Sequence, residues 1–191
     1  ATFGALSIIS GAALYSAIQN SKITAIVTEL EELSKSYQAY VLDTGLDLPK
    51  EVIPAPHNIA LKTLELVKSS VSGWKGPYTS IFSESQGSSA HPEHEFENSK
   101  YKYIFYIRAT DESSFGAYTA VASSQKTCEG NSLPCFNWIG LNDVGSLEVA
   151  KAIDIAIDGS ESANSGRLRV RNHGTTKYAV YYKIMPSLEE D

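Results

Sequence analysis

The chain has 191 residues, 22 acidic against 16 basic side chains, a formal net charge of −6 and a pI near 5.3. That balance makes a nucleic-acid backbone a poor partner, and the length suits one domain or one domain with an appendage. The two cysteines, with six residues between them, lack the Cys-x-x-Cys spacing of redox and zinc sites.

Residues 1–45 read as one long helix with an uncharged half and an amphipathic half. No charged side chain occurs before Lys22 and no acidic one before Glu29. At about 1.5 Å per residue this helix would reach roughly 60 Å, far longer than the ~11–12 residues of an average globular helix. Residues 1–21 would measure about 31 Å, close to the ~30 Å thickness of the hydrocarbon layer. Gly4, Ser7 and Gly11 place small residues on one side, and Ile8, Leu14, Tyr15 and Ile18 supply apolar surface. Such a segment is either a plain membrane anchor or a helix that packs against copies of itself. No basic region precedes the apolar start and there is no initiator Met, so the front reads as processed or trimmed rather than as an intact signal peptide.

From Ile18 onward the apolar positions Ile23, Ile26, Val27, Leu30, Leu33, Tyr37, Tyr40 and Val41 advance in steps of three and four, and Lys22, Glu29, Glu31, Glu32 and Lys35 fill the other faces. Gly45 and Pro49 end the helix. Residues 46–191 then form a head domain of about 146 residues, enough to bury a core. Pro54 and Pro56 stiffen a connector, and Asn58 caps a short second helix through Ile59, Leu61, Leu64 and Val67 that stops at Gly73. Trp74, Gly76, Pro77 and Tyr78 form a compact turn whose aromatics plug the junction of helix and sheet.

Strands are expected at Tyr78–Ser83, Tyr101–Ala109, Tyr118–Ala122 and Asn137–Leu141, with Ser80–Lys100 as an exposed polar loop. His91, His94 and Glu95 in that loop are a weak metal set without rigid support. Cys128 and Cys135 enclose a turn-rich loop that favours a structural disulfide, worth on the order of 2.5 kcal/mol in the chain-entropy picture. A disulfide implies a periplasmic or extracellular setting. A third helix, Leu147–Ile157, ends at Gly159, and strands Arg167–Arg171 and Tyr178–Ile184 close the chain around the tight turn Asn172-His173-Gly174. Arg167, Arg169 and Arg171 alternate with Leu168 and Val170 and read as the polar face of a strand. Asp154 and Asp158, four apart on one helix face, are exposed, cap a neighbouring turn or hold a cation. Short connections favour antiparallel pairing, so the fold class is α+β, with the amphipathic half of the long helix packed on an antiparallel sheet.

Nothing in the chain spells catalysis. It has no Gly-x-Ser-x-Gly elbow, Gly-rich phosphate loop or His-Glu-x-x-His, and neither His57 nor His173 has a nucleophile beside it in sequence. A non-enzymatic protein is expected.

Three stretches, in this order, resemble the type IV pilins and the pseudopilins of type II secretion. The first is the helix, especially SGAALYSAIQNSKITAIVTELEELSKSYQAYVLDTG. The second is Gly73-Trp74-Lys75-Gly76-Pro77-Tyr78, similar to the Trp-x-Gly-Pro-Tyr turn of such proteins. The third is Ile153-Asp154, Ile157-Asp158-Gly159 and Gly166-Arg167-Leu168-Arg169, like the run before the closing strands of some prepilin-like sequences. The family's Glu at the fifth mature position has no counterpart before Glu29, so that segment lies upstream of Ala1 or is absent.

The resemblance implies a pilin-like fold and a filament subunit, drawn from a pool in the bacterial inner membrane and extruded into an extracellular pilus or a periplasmic pseudopilus. Its partners would be copies of itself and other pilin or secretion-system components. Assembly would run through Gly4, Ser7, Ile8, Gly11, Leu14, Tyr15 and Ile18. No cofactor is implied except calcium, which some pseudopilins hold in a late loop and for which Asp154, Asp158 and Asn142 or Asp143 are the candidates. The alternative is a membrane-anchored periplasmic or extracellular binding domain whose helix is only a tether.

Overall fold

A computed structural model describes residues 3–52, 59–121, 127–172 and 177–189, with the side chains of residues 3–12, 120 and 121 outside the description. Helix α1 spans Phe3–Thr44, a run of 42 residues. Gly45 takes a positive φ of 73° and its amide donates to the Val41 carbonyl at 2.8 Å, ending the helix where the sequence places its stop. The strands are β1 (Phe96–Asn98), β2 (Lys102–Thr110), β3 (Ala117–Val121), β4 (Cys135–Leu141), β5 (Leu168–Asn172) and β6 (Tyr178–Pro186), with α2 (Leu147–Asp158) between β4 and β5. They form one sheet in the order β1-β2-β4-β6-β5-β3. All neighbouring pairs are antiparallel except β3 with β5, which run parallel, so the wholly antiparallel sheet expected from short connections is corrected at one edge. The chain is α+β.

The main core lies between the helices and one face of the sheet. Ile26, Leu30, Leu33, Tyr37 and Tyr40 of α1 are buried there with Ile104 and Tyr106 of β2, Ile139 and Leu141 of β4, Leu168 and Val170 of β5, and Val180 and Tyr182 of β6. Tyr106 donates its hydroxyl to the Leu33 carbonyl at 2.8 Å and stacks on Tyr37 with ring centroids 5.7 Å apart. Burial alone holds the Tyr106 phenol well above its ordinary range.

The opposite sheet face is covered as well. Phe105, Ile107, Ala109, Trp138, Ala179 and Tyr181 alternate with the first set along their strands and pack under Ile59 and Phe115. With both faces occupied, β2 reads as a nearly continuous apolar run rather than a strict alternation.

Several local expectations are corrected. The second helix over Ile59–Val67 is only the 3-10 turn Thr63–Leu66, because Ala60 and Leu61 are drawn into bridges with Ile107 and Lys50. Tyr78–Ser83 forms no strand. The segment 80–100 is no exposed loop: it contains β1 and buries Phe82, Ser88, His94 and Phe96. Arg169 does not face solvent. It is almost fully buried, lies over the Trp138 ring with 5.4 Å from guanidinium to centroid, and is ion-paired to Asp111. Desolvation pulls its guanidinium below the usual arginine range, and Asp111 opposes that shift. The tight turn at 173–174 lies outside the described residues, although β5 and β6 do pair antiparallel up to Asn172 and Tyr178.

Candidate functional site: the exposed half of the first helix

Helix α1 changes character near residue 26. From Ala13 to Ala25 no residue is buried, whereas Ile26, Glu29, Leu30, Leu33, Ser34, Ser36, Tyr37 and Tyr40 all are. Within the first stretch Leu14, Tyr15 and Ile18 are exposed to 63%, 67% and 55%. Three large apolar side chains on little more than one helical turn, with nothing over them, form a patch of the kind that marks an interaction surface. Of the remaining residues expected to drive assembly, Gly4, Ser7, Ile8 and Gly11 lie in the helical backbone, and their side chains are outside the description.

The second half is tied to the head by more than its apolar stripe. Lys22 Nζ donates to the Val144 carbonyl at 3.3 Å. Glu29, expected on an outer face, is instead buried and accepts the Tyr101 hydroxyl at 2.7 Å and Lys100 Nζ at 3.2 Å. Burial, then the Glu29 carboxylate, pushes the Tyr101 phenol far above its ordinary value. The first positive and first negative charge of the helix are therefore both engaged within the chain, and the exposed stretch before Lys22 stays uncharged.

The Trp-Gly-Pro-Tyr turn clips the far end of α1 to the head. Trp74 Nε1 donates to the Glu65 carbonyl at 2.8 Å, and the Tyr78 hydroxyl donates to Asp43 Oδ2 at 3.1 Å while accepting the Lys75 amide at 2.8 Å. Lys75 Nζ lies 2.9 Å from Asp43 Oδ1, and this bond with the Tyr78 contact lowers the Asp43 carboxyl from its ordinary value. Tyr40 meets Tyr78 edge to face with centroids 5.9 Å apart, so the turn's aromatics bind the end of α1 and the Thr63–Leu66 turn.

The Asp-containing run has an equally local cause. Ser146 caps α2, accepting the Val149 amide, and Gly159 closes it with φ of 77°. Asp158 then accepts the Arg167 and Leu168 amides, both at 2.9 Å, and so fixes the start of β5. At Gly166 an added Cβ would fall 2.2 Å from Asp158 Oδ2, so the carboxylate's approach requires glycine. Asp154 accepts the Tyr118 hydroxyl and, at 2.6 Å, the Ser162 amide. The two carboxylates named as calcium candidates thus anchor a loop, the turn-capping option left open for them. Asp143 lies before the opposite end of α2, where it accepts the Gly145 amide and pairs with Lys177.

Among the described residues no group of three or more His, Cys, Asp or Glu side chains could hold a metal ion. His94 is buried, with Nδ1 3.1 Å from the Leu61 carbonyl and its ring against Phe105, a packing role for a residue expected in a loose loop. His57 and His173 lie outside the described residues. Cys128 and Cys135 are joined in a disulfide, with Cα atoms 5.5 Å apart, as expected. Among the described residues no helix is long and apolar enough to cross a membrane. One polar cluster was missed by the sequence reading: Asp47, Arg108 and Glu189. Its signal was an arginine inside the apolar run Tyr103–Ala109.

No protein-family model, no curated protein and no solved structure matches the chain.

Proposed function

We propose that the chain is a structural subunit of a type IV pilus or a related pseudopilus, and that it polymerises through the exposed half of α1. The observation that carries this reading is the division of that one helix. Its second half is packed into the core of the head, and its described first half offers uncharged, apolar surface left exposed among the described residues. The arrangement of a long helix on a mostly antiparallel sheet, the Trp-Gly-Pro-Tyr clip and the Asp-anchored loop before β5 support the same reading through their resemblance to pilin-like proteins. The subunit pool in the inner membrane and the later extracellular or periplasmic filament belong to this proposal. In the filament, helices from many copies bury one another's apolar and small side chains, and the heads face outward.

Electron microscopy of the purified chain after detergent removal tests the idea. Filaments of regular rise with the α1 segments at their centre are expected. Chains that stay dispersed, or insert into lipid without assembling, would instead identify a tethered domain.

A further inference from the structure

Asp47 and Arg108, two wholly buried side chains of opposite charge, hold Ser187–Glu189, the segment that follows β6. Asp47 lies just beyond α1. Its Oδ1 accepts the Tyr37 hydroxyl at 2.9 Å and Asn137 Nδ2 at 3.0 Å, and its Oδ2 accepts the Ser187 hydroxyl at 2.8 Å and the Leu188 amide at 2.7 Å. Arg108 is less well served by the interior. Nη2 is 3.2 Å from the Leu48 carbonyl and 3.4 Å from Asp47 Oδ2, and Nε is 3.5 Å from Asn137 Oδ1. Charge-assisted N–H···O bonds are ordinarily about 2.7–2.9 Å, so these are weak.

The close partner of Arg108 is the Glu189 carboxylate, on Nη1. That glutamate is half exposed and lines an open cleft of about 320 Å³ together with Asn131, Leu133, Pro134, Pro186 and Ser187 beside the disulfide. A buried guanidinium is costly without a partner. Here the closest partner is delivered from the solvent side, by the half-exposed side chain of Glu189.

We propose that Arg108 anchors a carboxylate-binding site, filled in this state by the chain's own Glu189, which takes an acidic side chain of a peptide partner when Glu189 is displaced. The planar guanidinium selects a carboxylate, and within the mixed lining of the cleft Leu133, Pro134 and Pro186 offer contact for an aliphatic residue next to the acid. Asp47 offsets the charge of Arg108, so the pocket itself is neutral and the ligand's charge remains partly solvated, as Glu189 does now. The site is independent of the filament reading, since it lies on the head and uses no residue of the exposed half of α1.

The full-length Glu189→Ala chain provides the test, with melting temperature as the readout. The substitution is expected to lower it by roughly 2–6 °C. Sodium acetate at constant ionic strength should restore at least half of the loss along a saturable curve, while sodium chloride restores none and the unsubstituted chain does not respond to acetate. Glu189→Gln, which keeps the side-chain length and removes the charge, should behave as the alanine variant does. The dipeptide acetyl-Leu-Glu-amide should act at an at least tenfold lower concentration than acetate. Equal effects of acetate and chloride, or an unchanged melting temperature in both variants, would overturn the site, and equal potency of dipeptide and acetate would overturn the peptide assignment.

Discussion

Asp154 sits fully buried on α2, with Oδ2 taking the Tyr118 hydroxyl and the Ser162 amide and Oδ1 without a hydrogen-bond partner. Burial raises its carboxyl above the ordinary aspartate value of 3.8, against the lowering by the Tyr118 and Ser162 bonds, with Asp158 adding to the rise and Arg169 opposing it. A carboxyl raised in the folded state stabilises the fold while protonated, below about pH 3.8, and that contribution is lost as pH climbs through the raised value. At neutral pH the ionised, half-satisfied group is therefore a cost. Asp154→Asn keeps the acceptor for Tyr118 and Ser162 and removes the charge. Urea midpoints between pH 4 and 7 should show the variant gaining on the parent as pH rises, then levelling off. A gain that shrinks with pH would mean that the two hydrogen bonds outweigh burial.

At the scale of elements, α1 offers two leucines nine residues apart with opposite fates. Leu33 is wholly buried in the main core, while Leu42 is 84% exposed. Leu33→Ala should cost about 2–5 kcal/mol and Leu42→Ala no more than about 0.5 kcal/mol, both read from urea denaturation. If the two lose equally, the second half of α1 is not seated on the sheet as described.

The helix steps from Ile26 to Tyr40 were legible because one stripe of one element faces one core. So was α2, which stops at Gly159, and so were β2, β4 and β6, whose aromatic and β-branched residues favour extended backbone. What local pattern cannot show is a partner distant in sequence. Ile59, Leu61, Leu64 and Val67 suggest a helix, but the open backbone of β2 at Ile107 captures residues 59–61 as an extended segment. The polar composition of residues 80–100 hides Phe96 and His94, which are buried by β2 and its neighbours. Arg169 looked solvated because alternation cannot reveal that the second face of the sheet is covered. Of the candidate site, the disulfide was legible, and Leu14, Tyr15 and Ile18 are exposed. The Asp47–Arg108–Glu189 cluster, assembled from three distant segments, was not.

For the whole molecule, the proposed division of labour along α1 separates folding from assembly. Leu14 and Ile18 are exposed and lie before Ile26, the first buried position among the described side chains, so the head gains no stability from them. Replacing both with aspartate puts two charges on one face of a segment that is otherwise uncharged up to Lys22. In an isolated chain those charges stay in water, and exposed substitutions of this kind move stability by about 0.5 kcal/mol or less. In a filament they would be pressed between apolar helices, where an unpaired charge costs several kcal/mol. The Leu14→Asp/Ile18→Asp chain should therefore match the parent in urea midpoint and form no filaments under conditions where the parent does. Undiminished assembly by this variant would place the subunit contacts elsewhere and remove α1 from the proposal. A matching fall in the urea midpoint would show that the exposed half is part of the head's own core.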